Sequence, residues 1–193
     1  LHTLFWIAKY IYRVDDVAYG LVVVCREPSP SAELITMGRR YLYFLARAQA
    51  ADGKFRNRLG DDRRWRGMPD VQDAWGRSLW ALGTAAAHGP TEEIRAEARA
   101  LFDASARIGS PYLHPMAFAA LGAAEMLEQW PGDPGALSLL ATAGTVIGEP
   151  SADAAWPWPA PRLSYANASI AEAVIVTGEK LGRADLLRNG LRM

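Results

Sequence analysis

Apolar residues recur every three or four positions along most of the chain, which is the spacing of one buried face of an α-helix. No segment shows a convincing strand alternation. The valine run LVVVC could form a buried strand, but the pattern around it favours a helix. We therefore predict an all-α fold, with helices at about residues 16–26, 32–50, 73–88, 91–107, 114–129, 166–180 and 183–192, and one that begins at Asp133 and Pro134 and ends near 147.

The predicted helices alternate between two kinds. Helices that follow long loops are rich in small residues, as in WGRSLWALGTAAA and MAFAALGAAEM, whereas those that follow short turns are amphipathic, as in TEEIRAEARALFDASAR. Because small-residue helices can pack on both sides, we expect them to form an inner layer that the amphipathic helices cover. The chain then contains about four helical hairpins of about 40 to 60 residues, arranged as an open solenoid or as a partial α/α toroid.

Polar and aromatic residues precede or open every predicted inner helix. If the inner helices are parallel, these residues converge on one end of the bundle, and the short turns at the other end carry little chemistry. The carboxylates at the loop–helix junctions are the candidate catalytic residues: Asp15, Asp16, Asp70 and Asp73. The candidate substrate-binding residues are Trp75, Arg77, Tyr112, His114, Trp156, Trp158, Arg162, Tyr165 and Asn167.

These residue types are typical of sugar sites. Aromatic rings stack on the apolar face of a pyranose, and carboxylates, Arg and Asn bind its hydroxyls. Hydrolysis of a glycosidic bond also needs two carboxyl groups that flank the bond, one of them protonated. Structural roles compete at several positions, because Asp16 or Asp73 can cap a helix and His114 can be an ordinary first-turn residue. Trp80 and Phe118 fit core positions by their spacing.

Composition narrows the choice of partners. The 193 residues suit one domain, 1–193, and equal numbers of basic and acidic residues, 21 of each, argue against a nucleic-acid partner. The lone Cys25 excludes an internal disulfide and fits a buried structural thiol. No sequence spacing indicates a metal site or a cofactor. No apolar run reaches the roughly 20 residues of a membrane span, and we expect a cytoplasmic protein.

Four segments carry a family resemblance: YRVDDVAYGLVVVCRE, FLARAQAADGKFRNRLGDDRRW, DAWGRSLWALGTAAA and AWPWPAPRLSYANASIAEAVI. Together they resemble a bacterial family of α/α-toroid domains whose fold is similar to that of the six-hairpin glycosidases. Those domains are often encoded with, or fused behind, sugar-nucleotide glycosyltransferases, and the proteins are commonly labelled glycosyltransferases. The resemblance spans nearly all of residues 10–190 and implies a glycan-binding cleft, with a glycosyltransferase domain or subunit as a partner.

Two features depart from that family. The chain shows about four hairpins where a closed toroid has about six, and LHTLFWIAKYIY is more hydrophobic than the polar loop expected before the VDD motif. A truncated boundary explains both departures, so we expect a fragment of a longer chain.

The predicted function is a carbohydrate-active domain with an oligosaccharide cleft at the inner-helix N-termini, associated with glycosyl transfer or glycoside hydrolysis. The alternative is a non-catalytic scaffold of helical hairpins whose aromatic-rich end binds a protein. A terpenoid-cyclase-like toroid shares the architecture, but DDVAY alone offers too little of the aspartate-rich motif that such a site needs. A concave cleft favours the sugar site, whereas a flat or convex rim favours the scaffold.

Overall fold

The computed structural model describes residues 11–153 and 155–193, most of which are helical. The predicted helices are all present to within two residues at each end, the valine run lies inside the first of them, and the all-α prediction is confirmed. No helix in the described ranges is long and apolar enough to cross a lipid bilayer. The helices are α1 Val14–Arg26, α2 Ala32–Ala48, α3 Asp73–His88, α4 Glu92–Ser105, α5 Leu113–Gln129, α6 Pro134–Ile147, α7 Ala168–Leu181 and α8 Ala184–Arg192.

A small antiparallel sheet is the main departure from the prediction. β1 (Ile11–Arg13) pairs with β2 (Arg58–Gly60), and β2 pairs with β3 (Trp65–Arg66). The register places Tyr12 opposite Leu59. The expectation of no strands is wrong for these segments, because two or three residues are too few to show an alternating pattern. The sheet ties the long loop between α2 and α3 to the chain that enters α1.

The N-terminal caps differ between the two kinds of helix. The side chains of Ser31, Thr91 and Asp133 accept hydrogen bonds from the backbone N–H groups three residues later and so cap α2, α4 and α6. The N-cap residues of α1, α3, α5 and α7 make no such bond. A capping role for Asp16 or Asp73 is therefore wrong, because both residues lie within the first turn rather than at the N-cap.

The helices form two layers. α1, α3, α5 and α7 contact one another in that order, and α2, α4, α6 and α8 each pack on the helix that precedes them. Gly83 of α3 and Gly122 of α5 lie so close to the opposite helix that a Cβ on either would overlap its backbone carbonyl. Small residues permit this approach, which leaves α3 and α5 almost wholly buried. The predicted inner layer is confirmed.

The inner helices are parallel. Arg77, near the start of α3, donates to Asp15 in the first turn of α1. At the opposite end, Arg26 in the last turn of α1 donates to Glu125 in the last two turns of α5. Tyr165, just before α7, bonds to the start of α3. The N-termini of the inner helices consequently share one end of the bundle, as predicted.

Cys25 is buried near the end of α1. Burial raises the pKa of its thiol to about 12, so that the group stays protonated at neutral pH. Because the thiolate is the nucleophilic form of cysteine, this side chain acts as a core residue. The prediction of a structural thiol is confirmed.

Candidate functional site

Arg77 is the centre of the shared N-terminal end. It lies in the second turn of α3, where its Nη1 donates to Oδ2 of Asp15 at 3.3 Å and its Nη2 lies 3.2 Å from Oδ2 of Asp73. Arg13 also bonds to Asp15, through Nε at 3.0 Å and Nη2 at 2.7 Å. This hydrogen bonding raises the pKa of the Arg13 guanidinium. Asp15 is only 4% exposed, so its two cationic partners compensate a nearly buried charge.

Three aromatic rings surround the Arg77 guanidinium. Its Cζ lies 5.0 Å from the ring centroid of Tyr19, 4.9 Å from that of Phe118 and 5.7 Å from that of Tyr165. These distances permit cation–π attraction, which strengthens where water is excluded. The rings come from α1, α5 and the loop before α7, so Arg77 connects all of the inner layer. Burial also raises the pKa of the Tyr19 phenol.

Tyr165 extends this cluster to the surface. Its hydroxyl donates to Oδ1 of Asp73 at 2.8 Å, and its ring stacks on His114 with the centroids 4.4 Å apart. Desolvation, followed by the hydrogen bond to Asp73, raises the pKa of the Tyr165 phenol. Nε2 of His114 and Nε of Arg77 are buried, and neither has a hydrogen-bond partner among the described residues.

A groove of about 430 Å³ opens beside these residues, and its lining includes Gln72, Asp73, Pro111, Tyr112, Leu113, His114, Pro115 and Tyr165. Tyr112 is 51% exposed and Tyr165 is 49% exposed, so both rings are accessible to a ligand. The carboxylate of Asp73 lies between the groove and Arg77. The Asp73 carboxylate, whose orientation is fixed by its partners, and the accessible rings of Tyr112 and Tyr165 therefore line one concave surface.

Trp75 does not reach this groove. It is 0% exposed and belongs to the hydrophobic core, so the prediction that it binds substrate is wrong. The cause is helical geometry, because a residue two positions after Asp73 points to nearly the opposite side of α3. Arg77, four positions after Asp73, lies on the same side.

Two of the predicted carboxylates lie apart from the Arg77 cluster. Asp70 pairs through its backbone with Phe55, and its Oδ1 accepts a hydrogen bond from the backbone of Gln72 at 3.0 Å, which shapes the turn before α3. Asp16 is exposed on the first turn of α1, and Arg77 contacts its neighbour Asp15 instead. The structure thus brings together Asp15 and Asp73 alone of the four predicted carboxylates.

The loop before α7 contributes mainly Tyr165. Nε1 of Trp156 donates to the carbonyl of Ala160 at 2.7 Å, and Asn167 bonds to the backbone of Ser164, so both side chains stabilise the loop itself. Of the two remaining candidates, Trp158 is half-buried and Arg162 is exposed. Contacts of these four residues with a ligand stay a prediction.

The sequence analysis did not identify Tyr19 as a site residue, nor did it predict that Phe118 contacts Arg77. Phe118 is buried, as its spacing predicted, but its ring also faces Arg77. A signal was present, because each of three inner helices carries a polar residue followed four positions later by a member of the cluster. The pairs are Asp15 and Tyr19, Asp73 and Arg77, and His114 and Phe118.

The opposite end of the inner layer is also charged, contrary to expectation. Nε2 of His88 lies 2.9 Å from Oε2 of Glu125 and 3.4 Å from Oε2 of Glu128. Arg26 lies 2.6 Å from Oε1 of Glu125, and Lys180 lies 3.9 Å from Oε1 of Glu128. All four inner helices contribute to this cluster through their C-terminal turns.

The chain matches no model of a known protein family, and no curated protein is significantly similar to it.

Proposed function

We propose that this chain is a carbohydrate-active domain that binds an oligosaccharide in the groove at the inner-helix N-termini. In this proposal the hairpins are part of an α/α toroid of the six-hairpin glycosidase type. The observation that carries the proposal is the pair of exposed rings, Tyr112 and Tyr165, which line one groove together with His114 and the Asp73 carboxylate. The resemblance of the sequence to toroid domains found beside glycosyltransferases supports the same function.

The groove suits a sugar in size and in chemistry. Its volume of about 430 Å³ lies in the range of small-molecule sites, roughly 300 to 1,000 Å³. Aromatic rings pack against the C–H face of a pyranose and so remove apolar surface from water. The Asp73 carboxylate accepts hydrogen bonds from sugar hydroxyls, and its contacts with Arg77 and Tyr165 hold it in one orientation.

The contacts of Asp15 and Asp73 favour binding over hydrolysis. A glycosidase pair must flank the scissile bond with open space between its carboxyl groups, about 5 to 9.5 Å depending on the stereochemistry. Here a single guanidinium, that of Arg77, contacts both carboxylates, and Asp15 is buried. We therefore assign Asp73 to sugar contact and Asp15 to the positioning of Arg77. Catalysis would then come from a glycosyltransferase domain or subunit in the cytoplasm, and this chain would bind the glycan on which that enzyme acts.

A second candidate function is a protein-interaction scaffold. Met68, in the loop before α3, is 83% exposed, and Leu163, in the loop before α7, is also exposed. Large apolar side chains of this kind are typical of protein interfaces when they cluster. In this alternative the chain would bind a glycosyltransferase domain or subunit, and the groove beside Tyr112 and Tyr165 would have no role in glycan binding.

A glycan array with the purified chain tests the first proposal, followed by a hydrolysis assay on every bound glycan. Stacking on Tyr112 is worth roughly 0.5 to 1.5 kcal/mol, so Tyr112→Ala should weaken binding about 2- to 10-fold. The matched control is Tyr43→Ala, which removes an exposed tyrosine from α2. Absence of any bound glycan, or equal effects of the two variants, would refute the groove.

The same samples separate the remaining alternatives. Turnover of a bound glycan that Asp73→Asn abolishes while binding persists would establish the hydrolase form of the proposal. A pull-down with a glycosyltransferase domain that Met68→Asp and Leu163→Asp disrupt, without an effect on glycan binding, would establish the scaffold function instead.

A further inference from the structure

The C-terminal turns of the inner helices bring three metal-ligating side chains together. His88 is the last residue of α3, and Glu125 and Glu128 lie three positions apart on one face of α5. One nitrogen and two carboxylate oxygens, all within 4.8 Å of one another, can therefore face a common point. An imidazole with carboxylates is a donor set found in zinc and other transition-metal sites.

The distances suit a metal as well as a hydrogen bond. Ligand atoms placed tetrahedrally at about 2.0 to 2.1 Å from zinc are separated from one another by about 3.3 Å. Nε2 of His88 lies 3.4 Å from Oε2 of Glu128 and 2.9 Å from Oε2 of Glu125. Small side-chain rotations are sufficient to place the three atoms around one ion.

The surrounding cations orient these carboxylates. Arg26 holds the Oε1 atom of Glu125, and Lys180 approaches the Oε1 atom of Glu128, so that both Oε2 atoms face His88. Outer groups that fix metal ligands in this way are a regular part of protein metal sites. The parallel inner helices also direct the partial negative charge of their C-termini to this end, which favours a cation.

We propose that His88, Glu125 and Glu128 bind one divalent transition-metal ion of the zinc class. The ion has three protein ligands and an open position towards the adjacent groove of about 580 Å³, which Cys25, Glu27 and Pro28 also line. The ion joins α3 to α5 at the end opposite the glycan groove. Its binding is independent of the proposed carbohydrate function.

Calorimetric titration of the purified chain with ZnCl₂, together with the visible absorption of the Co²⁺-loaded chain, tests the site. One equivalent should bind, and the melting temperature should rise with added Zn²⁺. His88→Ala should weaken the affinity at least 100-fold, and Glu128→Gln should weaken it about 10-fold or more. Glu172→Gln, the same substitution at an exposed position of α7, is the matched control and should change nothing.

Three outcomes would overturn the proposal: no Zn²⁺ heat and no Co²⁺ spectrum, binding that persists in His88→Ala, or equal losses in Glu128→Gln and Glu172→Gln. In each case the three residues form only an ion-pair network. Glu128 is exposed, so its variant stays informative if His88→Ala fails to fold.

Discussion

Nη1 of Arg77 lies 3.3 Å from the buried carboxylate of Asp15, so the second turn of α3 is joined to the first turn of α1 by a charged contact with little access to water. The same guanidinium contacts Asp73 at the edge of the groove. Asp15 therefore acts on the candidate site through the position of Arg77.

Removal of the Arg77 charge should destabilise the protein. In Arg77→Met the Asp15 carboxylate keeps Arg13 but loses its other charged donor, at a cost of about 1.5 to 3 kcal/mol. Urea unfolding followed by circular dichroism measures the loss. Arg183→Met is the control, because its partner Asp185 is exposed and water screens the pair, so its loss should change the unfolding free energy far less. Equal losses in the two variants would contradict the central role of Arg77.

Tyr165 should ionise at higher pH than an ordinary tyrosine. Its phenol pKa is raised above the usual 10.0 by desolvation and by the hydrogen bond to Asp73. Ultraviolet difference titration should show a late-titrating tyrosine that Tyr165→Phe removes, and Asp73→Asn should lower its pKa. A late-titrating signal that persists in Tyr165→Phe, or that does not shift in Asp73→Asn, would disprove the assignment.

The raised pKa of Tyr165 should make the folded protein less stable at high pH. The folded state favours the neutral phenol, so this contribution is complete below about pH 10 and is lost as the pH rises through the folded-state pKa. Melting temperatures of the wild type should fall more steeply above pH 10 than those of Tyr165→Phe. Tyr19, whose pKa is also raised, leaves a residual slope in the variant.

The close contact of α3 and α5 should not tolerate a methyl group. A Cβ at position 122 would overlap the backbone of α3, so Gly122→Ala should cost about 1 to 3 kcal/mol or more as the helices separate. Gly132→Ala is the control, because nothing lies within 4 Å of its added Cβ and the change should stay within about 0.5 kcal/mol. Thermal unfolding of both variants decides the point.

The terminal hairpins should promote self-association. Val23 in the first hairpin and Leu191 in the last are both exposed apolar residues, which a second copy of the chain can cover. Sedimentation velocity should show concentration-dependent association that Val23→Lys and Leu191→Lys reduce. Met68→Lys, in the loop before α3, should leave it unchanged. A monomer at all concentrations would count against this expectation.

The hairpin repeat could be predicted because helix periodicity and small-residue content are local properties of the sequence. The sequence could predict that the N-termini of the inner helices lie together, but not that Asp15 contacts Arg77. The two residues lie 62 positions apart, and no local pattern links them. The candidate metal site could not be predicted from the sequence for the same reason. His88 precedes Glu125 by 37 positions and lies on another helix, so no sequence spacing marks the pair.

Aromatic residues were the least predictable part of the site. A tryptophan two positions after a carboxylate suggested that Trp75 stacks on a sugar, but the turn of α3 directs its side chain into the core. The four-residue spacing that places Tyr19 behind Asp15 would have been the better guide, because it follows the helix surface.

The three-stranded sheet has a consequence for how the domain can be cut. β1 supplies Arg13, which holds Asp15, and its backbone pairs with β2 in the loop that leads to α3. A shorter chain that began at Val14, the first residue of α1, would lose both contacts. Its helices would remain, but the loop would lose a partner strand and Asp15 would depend on Arg77 alone. A shortened form of this domain should therefore keep β1, Ile11–Arg13, even though it lies outside the first helix.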